Sequence, residues 1–116
     1  MGDISQRLIS AYLALNFAQL KIITRDVTLM DIMEATHYAR VAQTNILFYY
    51  ENAPNKLPIL KSLANAIDNA TSDVENLIYE NKDVNIIKLS VAYNTVIDGF
   101  QKILKDAIIE ATHRVY

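Results

Sequence analysis

The chain has no cysteine and no tryptophan, and its 116 residues hold two glycines and two prolines. Without cysteine there is no disulfide, no thiol nucleophile, no zinc-thiolate site and no iron-sulfur cluster. So few glycines and prolines cannot supply the turns of an all-β fold. With 52% hydrophobic residues, the chain is also neither collagen-like, nor of low complexity, nor disordered. A basic run is missing too. Lysine and arginine are scattered singly, the nearest approach to a cluster is Lys102, Lys105 and Arg114, and the formal net charge is -2. No row of phosphates could be neutralised by such a pattern, so no nucleic-acid partner is expected. The most apolar run, Leu8 to Ile23, contains Asn16, Gln19 and Lys21. It is shorter than the ~20 apolar residues a membrane span needs. Nor does it look like a leader, because Asp3 precedes Arg7 where a basic start would be needed. The expectation is a soluble, cytoplasmic protein without a membrane span.

What is present is helical periodicity. The length suits one domain over residues 1–116 with one core. Asp3 is a candidate cap for a first helix running to Ile23, with Ile4, Leu8, Ala11, Leu15, Ala18 and Ile22 spaced four-three-four-three-four. A second row, Ile9, Tyr12, Leu13, Phe17 and Leu20, makes this helix apolar on nearly every side, which marks a helix that is central or covered by a partner. Thr28 with Asp31 is a weak capping pattern for a second helix over Leu29 to Tyr50. Its stripe is Ile32, Ala35, Ala39, Ala42, Ile46 and Tyr49, and its alanines allow close helix approach.

Both prolines fall in Glu51 to Pro58, the strongest break in the chain. The spacing then predicts a third helix from about Leu57 to Tyr79, on Ile59, Leu63, Ile67, Ala70, Val74 and Leu77. Asp83 is a candidate cap for a fourth helix running toward His113, on Leu89, Tyr93, Val96, Phe100, Ile103, Ala107 and Ala111. Uninterrupted, it would be about 45 Å long. Asp98-Gly99 offers an alternative, a break near Gly99 into a fifth helix. Four amphipathic helices with short connections make an all-α, antiparallel up-and-down four-helix bundle.

One motif stands apart from this scaffold. Glu-Ala-Thr-His occurs twice, at Glu34 to His37 and at Glu110 to His113, and these hold both histidines of the chain. Each glutamate precedes its histidine by three residues, so a carboxylate and an imidazole share a helix face. The two pairs resemble the Glu-x-x-His contributions of ferritin-like di-iron and di-manganese bundle proteins, which add a glutamate from each of two further helices. That resemblance implies Glu34, His37, Glu110 and His113 as ligands of iron or manganese. The chain departs from the pattern, because the first helix has no glutamate and the third offers Glu75, with Glu80 at its end. Counting turns also puts the pairs at opposite ends of a simple bundle, so one shared site would need a kink, another connection or a second chain. The blander account is a local helical pair contributing a few tenths of a kcal/mol.

Catalytic patterns are otherwise missing. Ser10, Ser62, Ser72 and Ser90 have no histidine at a telling spacing, and no glycine-rich phosphate loop exists. The sequence therefore points to a non-enzymatic structural or protein-interaction module. The second apolar faces of helix 1 and of helix 2 (Met30, Met33, Val41 and Phe48) predict a homo-oligomer or a protein partner. The alternative is metal binding by the two Glu-x-x-His pairs.

Overall fold

The computed structural model of the chain describes residues 4–80 and 83–113, and every regular element among them is an α-helix. The helices are α1 (Gln6–Ile22), α2 (Leu29–Asn52), α3 (Pro58–Tyr79) and α4 (Ile86–His113). α1 packs on α2 and α4, and α3 packs on the same two neighbours, which closes a four-helix ring. Three side-chain contacts show the antiparallel sense. Arg7 at the start of α1 donates to Asn45 late in α2, Lys21 at the end of α1 pairs with Glu34 early in α2, and Gln19 donates to Asn94 early in α4. The up-and-down bundle is the architecture that the periodicity predicts. No helix among the described residues is long and apolar enough to cross a membrane.

The α1–α2 seam follows the expected stripes. Leu8, Ala11, Leu15, Ala18 and Ile22 are buried on α1, and all six stripe residues of α2 are buried with them. The pairing of these two helices is the most extensive in the bundle, as small residues on both sides of a seam allow. α1 stops where Ile23 leaves helical geometry while its N–H still reaches Gln19 O at 2.9 Å. The candidate cap Asp3 lies outside the described residues. At the start of α2 the weak pattern forms a full capping box. Asp31 N–H donates to the Thr28 hydroxyl, and Thr28 N–H donates to the Asp31 carboxylate. The shorter Asp therefore closes the box as Glu would. α2 runs on through Glu51 and Asn52, and Ala53 then turns extended, as a residue before proline must. Pro58 opens α3 in the first turn, where its missing N–H costs nothing.

Two expectations are corrected and one alternative is set aside. α4 begins at Ile86 and not at Asp83, because Asn85 is the residue whose side chain accepts the Lys88 N–H, at 3.1 Å. α4 is also unbroken at Gly99. A lone glycine weakens a helix by only about 1 kcal/mol, and the packed core on either side outweighs that. Finally, α3 and α4 match the predicted stripes only in part: Leu63, Ile67 and Val74 on α3 and Tyr93, Phe100, Ala107 and Ala111 on α4 are buried as expected, but each helix is turned toward a neighbouring row. Leu60, Ala64 and Thr71 turn inward on α3 while Ile59 and Leu77 are exposed. Ser90, Ile97 and Leu104 turn inward on α4 while Val96 and Ile103 are exposed.

Polar bonds explain why the rotated arrangement is stable. The hydroxyls of Thr71 and Tyr93 meet at 2.8 Å inside the α3–α4 seam, so neither is left buried without a partner. Burial pushes the Tyr93 hydroxyl up to about 12, and the Thr71 bond opposes the shift. Ser90 donates to Ile87 O at 2.8 Å, which satisfies its hydroxyl within the helix. Across the α2–α3 seam the half-buried Arg40 holds Asp68, donates to Ser72 at 2.9 Å and pairs with Glu75 at 2.6 Å. Glu75 raises the Arg40 guanidinium above its ordinary value most, desolvation opposes it, and Asp68 adds to the rise.

Candidate functional site

The two Glu-Ala-Thr-His segments are built alike. Ala35 and Ala111 both point into the core. Thr36 returns its hydroxyl to Met33 O at 2.6 Å, and Thr112 returns its hydroxyl to Ile108 O at 2.8 Å. The small and back-bonded residues thus face inward or along the helix, which leaves Glu and His for the outside. Glu34 pairs with Lys21 at 2.8 Å, both side chains being about 40% exposed. The Glu34 carboxylate raises the Lys21 ammonium above its ordinary value through that hydrogen bond. His37 is exposed, with its ring edge toward Tyr38 at 5.8 Å between centroids. Glu110 is exposed in the last turns of α4, and the side chain of His113 lies outside the described residues.

Continuity of α4 sets the distance between the pairs. The start of α4 lies beside the end of α1, and so at the Glu34 end of the bundle. From Asn94, which meets Gln19 at that end, Glu110 is about 24 Å farther along the helix at 1.5 Å per residue. The structure therefore does not bring Glu34 and His37 together with Glu110 and His113 within one chain. Among the described residues no three His, Asp or Glu side chains gather as ligands for a metal ion. A site shared by both pairs would need a second chain.

A different feature stands out on the surface. Ile9, Leu13, Phe17 and Leu20 on α1 are between 42% and 57% exposed, and they cover the side of α1 opposite its buried stripe. Ile23 continues the row beyond the helix end. On the outer side of α2, Met30, Val41 and Phe48 are exposed in the same way, with His37 and Thr44 between them. The two faces are continuous. The rings of Phe17 and Tyr38 meet at 5.7 Å, and the Arg7 guanidinium lies 4.1 Å from the centre of the Phe48 ring. Both second apolar faces were legible as heptad-like rows. The edging by Arg7 was not, because a cation stacked on a ring forty residues away leaves no local pattern.

A cleft of about 300 Å³ lies where the end of α1 meets the start of α4, lined by Ile22, Thr24, Arg25, Ile87, Val91 and Asn94. Half of these residues are aliphatic and half polar, and the one formal charge among them is Arg25.

Set against known protein families, curated proteins and solved structures, the chain matches none.

Proposed function

We propose that the chain is a structural, non-enzymatic bundle that works by associating with a second copy of itself through the outer face of α1 and α2. The observation that supports this is the row Ile9, Leu13, Phe17 and Leu20, apolar and exposed on a helix whose opposite side already fills the core. The inner stripe supplies the core of one chain, and the exposed half of the outer row adds little to the bundle itself. Together with Met30, Val41 and Phe48 it forms a continuous apolar surface of the kind that marks an interface. A stable interface involves roughly 20–30 residues a side. The outer faces of two adjacent helices supply about that number once their intervening polar residues are included.

The charges favour self-association as well. Within α1 the charged residues are Arg7 and Lys21, and both lie on the flank toward α2, committed to Asn45 and Glu34. No like charges would therefore meet at the centre of the row when two copies approach. Light scattering coupled to size exclusion at micromolar concentration tests the proposal. A mass of twice 13.1 kDa is expected, and a monomer would refute it.

A further inference from the structure

Resting on that association, we infer that the two copies pair α1 against α1 in antiparallel fashion about a two-fold axis passing at Asn16. Asn16 is exposed in the middle of the outer row. Ile9 and Ile23 lie seven residues to either side of it, Leu13 three before and Leu20 four after. A two-fold interface requires one patch that complements itself, and apart from Phe17, which leans toward Tyr38 of α2, this row is spaced nearly symmetrically about a single amide. A carboxamide both donates and accepts, so two Asn16 side chains on the axis can satisfy each other. A shift of one turn would set each amide against leucine and leave it unpaired in an apolar seam. One asparagine in such a seam thereby fixes the register.

The neighbouring helices select the antiparallel sense. Looking at the outer face of α1, α2 lies on one flank and α4 on the other, as the contacts of Phe17 with Tyr38 and of Gln19 with Asn94 show. An axis perpendicular to α1 keeps α2 over α2 of the other copy, so both apolar outer faces are buried together. An axis parallel to α1 would place α2 over α4 instead. The contacts Arg7–Phe48, Phe17–Tyr38 and Lys21–Glu34 set the alignment of α2 on α1. Carried through the two-fold at Asn16, that alignment brings Met30 of one copy over Phe48 of the other. A thioether against an aromatic ring is a favourable contact, and both side chains are exposed in the single chain.

The absence of cysteine makes the geometry directly testable, because any introduced thiol is unique in the chain. A disulfide needs Cα atoms about 4.4–6.8 Å apart, which only a position on the axis offers to its own copy. Under mild oxidation Asn16→Cys is expected to cross-link to itself roughly 10-fold faster than Ile9→Cys or Ile23→Cys alone, while a mixture of those two variants cross-links with each other. Asn69→Cys, on the exposed side of α3, sets the background rate. If Ile9→Cys and Ile23→Cys each self-cross-link as fast as Asn16→Cys, the helices run parallel and the inference is overturned. If no α1 variant exceeds the Asn69→Cys background while the unmodified chain is dimeric by light scattering, the inference fails and the association stands. A monomeric chain overturns both.

Discussion

The outer sides of α1 and α3 are built from opposite materials. On α1 the side away from the core carries Ile9, Leu13, Phe17 and Leu20, whereas on α3 it carries Ser62, Asn65, Asn69, Asp73 and Asn76, all exposed. Their inner sides are nearly equivalent. Leu8, Leu15 and Ile22 on one helix and Leu60, Leu63 and Ile67 on the other are buried in the same core. Both helices bury an apolar inner side, so the outer row of α1 is the difference on which the proposed self-association rests. The seams differ in the complementary way. α1 joins α2 through alanines and aliphatic side chains, while α3 is tied to its neighbours by the Arg40 cluster and the buried Thr71–Tyr93 bond.

The largest effect should come from comparing the two sides of α1 itself. Leu15 is fully buried, so Leu15→Ala should cost about 2–5 kcal/mol in chemical denaturation. Leu13→Ala, on the outside, should cost about 0.5 kcal/mol or less when measured at dilution where copies are apart. Equal losses at the two positions would mean that the outer row is part of the core after all. Next comes association. Leu13→Glu should weaken self-association roughly 100-fold in sedimentation, as removal of a central apolar anchor does. Asn65→Glu on α3 should leave it unchanged, and matching losses would erase the distinction between the faces.

The polar seam of α3 gives a pH signature of similar or smaller size. Tyr93 has a folded-state value of about 12 against an ordinary 10. Its contribution is fully present below pH 10, because both folded and unfolded states then hold the proton. Above that the unfolded chain ionises first, and stability falls as pH rises toward 12 by about 2–3 kcal/mol. Tyr93→Phe should lower stability at neutral pH by about 1 kcal/mol through loss of the Thr71 bond, and should flatten the alkaline decline. An unchanged decline would place the titrating group elsewhere. The smallest effect concerns α4. A methyl group at Gly99 would meet nothing within 4 Å, so Gly99→Ala should stabilise the bundle by about 0.5–1 kcal/mol in thermal unfolding. A loss of stability there would contradict the unbroken helix.

Much of this molecule was legible in its residues, but unevenly. On α2 every stripe residue named from spacing is buried, and on α1 the inner row is buried from Leu8 to Ile22 although a second apolar row lies opposite it. On α4 adjacent rows such as Val96–Ile103 and Ile97–Leu104 are equally plausible from spacing alone. The doubled Glu-Ala-Thr-His showed the opposite limitation. Its local build follows from residue type, with alanine inward and threonine bonded back to the helix. Whether the two copies meet depends on the connections, and the antiparallel course holds them far apart.

Periodicity alone determined that four helices form, in what order, and which side of α1 and α2 turns inward, because hydrophobic burial acts on the helix face residue by residue. The rotation of α3 and α4, the start of α4 at Ile86 and its passage through Gly99 were decided by tertiary structure. In each of these places the local preferences were nearly balanced. The partner across the seam, such as Thr71 for the Tyr93 hydroxyl, then selected one arrangement because a buried polar group must find its bond.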